Sequence, residues 1–239
     1  YMTKISWPNG KKFAFTLIDD TDNATVQNIK PIYEFLDTLG FLTTKTIWVY
    51  PSRDHFYGDT LQDKENVDFL NWLLTEGFEI ASHGVGSGKF TREEIIQGFD
   101  EFKNKLNFMP SMHVNHARNI DNLYWGKERF QLILKSLLTL KNNQKFYGTD
   151  KDSNHFWGDI AKNEFKYIRN HTFNGINTLK YDPQMPYKDK NKVQYSNYWF
   201  SSSDGHTIEE FNGIVNKKNI DKLEKEGGAC IMYTHFASG

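Results

Sequence analysis

The chain of 239 residues fits one large domain, and its 29 Lys+Arg against 30 Asp+Glu leave a formal net charge of −1. That balance removes the long-range field that draws proteins to nucleic acid or anionic membrane, and no run approaches the ~18 apolar residues of a membrane span. The one cysteine, Cys230, excludes an internal disulfide framework and any multi-cysteine zinc module; with no signal peptide at the start, it favours a cytoplasmic location.

Short apolar runs alternate with longer amphipathic segments. Residues 13–20 (FAFTLIDD) predict a buried strand ending in carboxylates, followed by a helix over 23–39 that Gly40 stops. The β-branched and aromatic run 43–50 (TTKTIWVY) predicts a second strand, closed by Pro51. A helix over 61–76, a strand at 78–82 (FEIAS) and a helix from Thr91 to Leu106 follow, the last opened by a Thr91/Glu94 capping box. Beyond them the pattern gives a strand at 112–116, a helix at 127–140 and a strand at 145–148. Further strands are expected within 166–180 and at 198–203 (YWFSSS). A Thr207/Glu210 capping box starts a helix reaching residue 226, and 228–234 (GACIMYT) forms the last strand. Strand–helix alternation with about seven strands predicts parallel strands covered by helices, with a barrel favoured over a doubly wound sheet. The chain stops at Gly239 directly after its last strand. A closed barrel would take a covering helix there, so residues beyond this end are expected.

In parallel α/β architectures the reactive groups gather at the carboxyl ends of the strands. Those ends carry Asp19 and Asp20, then His83, then His113 and His116, then Asp204 and His206, and finally His235. One carboxylate of the Asp19–Asp20 pair suits a metal and the other a proton transfer; the competing role is for Asp20 or Asp22 to cap the following helix. His83 and His235 are each open to a plain role as hydrogen-bonded core residues. His113 and His116 form a chelating pair only if the chain bends at Asn115. The Gly-rich segment 84–89 fits neither the nucleotide P-loop nor the dinucleotide pattern, because His83 and Phe90 stand where the first needs Gly and Ser/Thr, and Lys89 where the second needs Gly. It reads as a flexible turn over the cavity. The 15% aromatic content suits stacking on sugar faces, with Tyr124, Trp125, Phe156, Trp157, Tyr187 and Trp199 near loops, although aromatic residues also build cores.

FTLIDDTD (residues 15–22), EIASH (79–83) and IMYTHFASG (231–239) together resemble motifs one, two and five of the NodB-homology polysaccharide deacetylases, carbohydrate esterase family 4. The resemblance spans nearly the whole chain and implies a single NodB-like domain over residues 1–239. It implies a distorted (β/α)7 barrel with one divalent metal, usually zinc, and hydrolysis of acetyl groups on a glycan or amino sugar. By that resemblance Asp19 is the catalytic base and His235 the catalytic acid, while Asp20 and His83 are metal ligands. Motif two has Ser87 where the family places a second histidine, so His116, or failing that His113, is expected to supply the missing imidazole. Motif three corresponds to 110–119 (PSMHVNHARN), where Arg118 stands in for the family's arginine. Motif four has counterparts in Trp199 and Asp204, the latter orienting His235 or His206 or serving as a loop aspartate. Two other functions fit the same residues: an amidohydrolase for a small cyclic or linear amide, and an inactive barrel retained for glycan binding.

Overall fold

A computed structural model describes residues 5–116, 118–123 and 146–238 of the chain. Seven strands form a closed barrel in chain order: β1 (Ala14–Asp19), β2 (Thr44–Ile47), β3 (Glu79–Ser82), β4 (Met112–Val114), β5 (Tyr167–Phe173), β6 (Tyr198–Asp204) and β7 (Ala229–Thr234). Every neighbouring pair is parallel, and β7 closes on β1 over the full length of both, from Ala14 opposite Ala229 to Asp19 opposite Thr234. The (β/α)7 barrel expected from the alternation is therefore present.

Side chains on a strand alternate between faces, and β1 sets the rule for the whole molecule. Phe15 and Leu17 point outward, the first against Phe41 and the second into a cluster with Leu223 and Met232. Ile18 packs with Val114 and Phe200, beside Met112, Tyr167 and Ile231, as the apolar filling of the barrel. Continuing that inward row by twos past Ile18 leads to Asp20 and then Asp22. On β7 the row through Ile231 leads to Tyr233 and His235; on β6 the row through Phe200 leads to Ser202 and Asp204.

The helices cover the outside. In α1 (Val26–Thr38) the buried positions Val26, Ile29 and Tyr33 recur at helical spacing, and a capping box of Thr25 with Asn28 opens it. The cap is thus Thr25, which leaves Asp20 and Asp22 free of that task. In α3 (Arg92–Leu106), Ile95, Phe99, Phe102 and Leu106 form the buried stripe, with the Thr91/Glu94 box at its start and left-handed Asn107 at its end. Between these two lies α2 (Lys64–Thr75), and α4 (Gly158–Glu164) and α5 (Thr178–Tyr181) flank β5. The helix expected over 207–226 is two: α6 (Ile208–Ile214) and α7 (Lys217–Glu226), divided where Asn216 caps the second by accepting from the Asn219 N–H. Thr207 caps α6, but Glu210 turns to His206 instead of completing a box.

Of the strand expected at 145–148, the described residues 146–148 form none. Tyr147 and Gly148 donate instead to the carbonyls of Ile120 and Asn122 in the loop after β4. Gly148 lies so close to this loop that a Cβ there would meet the Asp121 carbonyl oxygen at 2.1 Å, so only glycine fits. The expected helix at 127–140, and with it Tyr124 and Trp125, lies outside the described residues. The segment 84–89 is no flexible turn: Gly84 to Ser87 are buried, and the Val85 carbonyl accepts from the Val49 and Tyr50 N–H groups while Asn119 bridges Gly86 and Gly88. Among the described residues no helix is long and apolar enough to cross a membrane.

Candidate metal centre

The carboxyl ends of the strands surround a cavity of about 420 Å³ lined by Asp20, Asp22, His83, His116, Arg169 and His235, with Arg118, Asn170 and Asp204 also on its wall. Asp22 is the hub. Its Oδ1 lies 2.6 Å from His116 Nε2, and its Oδ2 lies 3.1 Å from His235 Nε2 and 3.4 Å from His83 Nε2. Asp22, His83 and His116 are all buried, and each offers a ligand atom within 4.8 Å of the other two. This is a buried His/Asp cluster able to coordinate a divalent metal ion.

The surroundings fix the donors. His83 Nδ1 sits 2.8 Å from the Val114 carbonyl, which only accepts. Nδ1 therefore carries the hydrogen, and Nε2 presents a lone pair towards Asp22. That Nε2 is buried and makes no hydrogen bond, the condition of a donor atom that suits a cation. Trp48, fully buried just past β2, stacks on His83 at 6.1 Å and tilts against His116 at 5.7 Å. Burial alone would raise the pKa of Asp22, but the hydrogen bonds to His116 and His235, with the His83 ring close by, hold it far below the usual carboxylate range.

Asp20 occupies the neighbouring place. Its Oδ2 accepts from Arg169 Nη2 at 2.9 Å and lies 3.6 Å from His83 Nε2, while its Oδ1 is buried without a hydrogen-bond partner. The Arg169 guanidinium also lies 4.4 Å over the Tyr233 ring. His235 donates through Nδ1 to the His206 carbonyl at 2.9 Å. Burial opposes its protonation, yet Asp22 and Asp20, with that carbonyl, push its pKa up to about 9. The imidazole therefore holds a second proton, on Nε2, at neutral pH.

The remaining expected site residues lie elsewhere. Asp19 is on the outward row and does not line the cavity. It is fully buried between sheet and α1, 3.2 Å from Lys45 Nζ, accepting from the Tyr33 hydroxyl at 3.0 Å and from the Phe236 N–H at 2.8 Å. Burial raises its pKa despite Lys45 and those two donors. His116, not His113, supplies the imidazole on β4's side. His113 faces outward against Trp157 and Phe165, bonded to Ser82 and Asn115. Ser87 donates to Asp54. Arg118 is on the cavity rim, and Asp204 is there too, accepting from Thr172 and His206. Trp199 is buried in the outer core and does not reach the cavity.

Sequence reasoning missed Asp22 and Arg169. The first was legible in the inward row Ile18, Asp20, Asp22. The second had no distinguishing mark among the residues of a loosely bounded strand.

No family model matches the chain, and no curated protein matches it in sequence. Among solved structures the chain is similar to a crystal structure of Puue allantoinase, with a TM-score of 0.52 and 11% sequence identity, over 97% of this chain and 80% of that one. At that identity the likeness shows the fold alone. The fold finding corrects the NodB-deacetylase resemblance, and with it the glycan-deacetylase activity and the acetylated glycan or amino-sugar partner drawn from motifs one, two and five: the chain is a closed, parallel seven-stranded (β/α) barrel of allantoinase-like architecture with a metal-competent His/Asp cluster at its carboxyl end.

Proposed function

We propose that the protein is a hydrolase of small-molecule amides that works with one divalent metal ion, zinc by the chemistry of its donor set. One observation carries the reading: the Asp22 carboxylate, His83 Nε2 and His116 Nε2 converge in a buried cluster, with His83 locked in the tautomer that leaves Nε2 free to bind a cation. One carboxylate and two imidazoles form a set that zinc takes while keeping a position for water or substrate. When bound there, such an ion polarises a carbonyl oxygen and lowers the pKa of water. Likeness to an allantoinase barrel, whose name denotes action on a small amide, and a cavity of about 420 Å³ both favour a small substrate.

The chain's own groups supply the proton transfers. Asp20 Oδ1 takes the proton of the attacking water, while Arg169 on the other oxygen fixes the carboxylate's direction. His235 Nε2 gives its proton to the departing nitrogen, and the His206 carbonyl on Nδ1 holds the ring in line. Each transfer contributes typically about 10²–10⁴-fold. Arg118 and Asp204 contact the substrate at the rim.

The test is metal analysis of the purified protein together with amine and acid release from a panel of small cyclic and linear amides. One ion per chain and a turnover abolished by chelation are expected. A protein that takes up no metal, or that cleaves amides equally well after chelation, ends the proposal.

A further inference from the structure

β5 changes register halfway along the barrel wall. Arg169 pairs with Phe200 of β6 and Thr172 with Ser202, so three steps on β5 match two on β6. The extra residue is a bulge, and a bulge re-aims side chains that strict alternation would send outward. Arg169, Asn170 and Thr172 consequently all line the cavity. Asn170 is 4% exposed; its Nδ2 donates to the Tyr187 hydroxyl, and its Oδ1 is buried with no hydrogen-bond partner. Tyr187 is itself pinned to Trp199 of β6 by two backbone hydrogen bonds of 2.9 and 2.8 Å, which sets the amide with its oxygen away from the phenol.

The other neutral polar groups on that wall are already engaged. Asn115 donates to the Arg169 carbonyl, and its oxygen serves the Leu123 N–H and His113. The Thr172 hydroxyl donates to Asp204. A buried acceptor left unmatched costs free energy that a ligand donor recovers. We infer that Asn170 is a specificity-determining residue whose Oδ1 accepts an N–H of the substrate, which makes the substrate class amides bearing a free N–H rather than fully N-substituted ones. This rests on the amide-hydrolase reading for its chemistry and deepens it. A site built around such a hydrogen bond rejects the analogue that lacks the donor far more strongly than an apolar pocket rejects a spare methyl group.

The probes are hydantoin and acetylurea, each against its fully N-methylated counterpart, with binding followed by ligand-observed NMR on the full chain, as purified and after zinc addition. Wild type is expected to bind the N–H member of each pair at least about tenfold more tightly. Asn170→Leu is expected to lose that preference at unchanged metal content and melting temperature, and Asn170→Asp, which keeps the acceptor oxygen, to retain it. Equal binding within both pairs, a preference that survives in Asn170→Leu, or no binding of either N–H probe overturns the inference. Because binding is read with and without zinc, a chain that discriminates the probes yet takes up no metal sinks the hydrolase reading and leaves the role of Asn170 standing.

Discussion

Two clusters of buried charge sit back to back across the wall at the end of β1. Outside it, Asp19 has Lys45, the Tyr33 hydroxyl and the Phe236 N–H, and its oxygens are all engaged. Inside it, Asp20 and Asp22 face His83, His116, His235 and Arg169, and Asp20 Oδ1 and His83 Nε2 are left without hydrogen bonds. Both clusters are carboxylates beside cations in the dark of the protein. What separates them is the cavity: the outer pair, although Lys45 Nζ makes no hydrogen bond, sets that ammonium against a carboxylate whose oxygens are both engaged and lies off the cavity, holding α1 and the segment after His235 to the barrel, whereas the inner cluster turns its unmatched acceptor atoms towards the cavity. Neither buried charge nor an unmatched polar atom alone therefore marks a site; unmatched acceptor atoms on residues that line a cavity do.

The largest effects belong to the inner cluster. Asp22→Asn replaces the hub carboxylate by a neutral amide, so bound metal should fall from one equivalent to near zero and amide turnover should vanish with it; full metal content in that variant would mean the hub has been misplaced. The neighbouring pair then sharpens the contrast. Asp20→Asn should keep its metal and lose about 10²–10⁴-fold in turnover, with little change in melting temperature. Asp19→Asn should do the reverse, retaining most turnover while melting lower. Should the two variants exchange these outcomes, Asp19 is the base after all and the outer cluster is catalytic.

The outer cluster is best broken from its cationic side. Lys45→Met leaves Asp19 buried without its partner, and removing one member of a buried pair typically costs about 3–5 kcal/mol. Lys45 pairs with Asp19 in register across β1 and β2, so the loss is expected as a lowered denaturation midpoint with no loss of metal. Adding Asp19→Asn to Lys45→Met should recover part of it, since the double variant buries no lone charge. If the two single losses simply add, the residues are not coupled and the comparison fails on that side.

The barrel itself was legible because its strands are apolar runs with chemistry at their ends, and Asp20, His83, His116 and His235 were legible for the same reason. Which way each residue faces was harder, although the alternation held the answer in places. The inward row from Ile18 reaches Asp22, and the outward row through Tyr198–Asp204 takes Trp199 into the core beside inward Phe200. Asp22 was obscured by the expectation of a helix cap, a task that Thr25 performs. Asn170 could not be reached from letters, because its direction depends on a bulge that only the pairing with β6 reveals. The motif resemblance misled for a related reason: short strings at strand ends report a barrel with metal-binding groups at its mouth, and that arrangement is compatible with more than one substrate.

The smallest effect comes from the imidazoles of β4, which repeat the contrast of β1. His116 lies inside with Asp22; His113 lies outside among Trp157, Phe165, Ser82 and Asn115. Burial first, with the His83 side chain and the Arg169 charge nearby, holds the pKa of His113 down to about 3, with the Asn115 contact opposing. An unfolded histidine titrates near 6.5, so between about pH 6.5 and 3 the unfolded chain binds a proton that the folded chain refuses. The stability His113 contributes is therefore complete above pH 6.5 and drains away as the pH falls towards 3, with a slope approaching about 1.4 kcal/mol per pH unit. Urea denaturation of wild type and His113→Asn across pH 7 to 4 isolates this contribution, because proton uptake at the metal cluster is common to both proteins and cancels in the difference. A difference that stays flat over that range would place His113 in contact with solvent or with a charge that welcomes its proton, and the outer face of β4 would no longer be the closed, satisfied side of the wall.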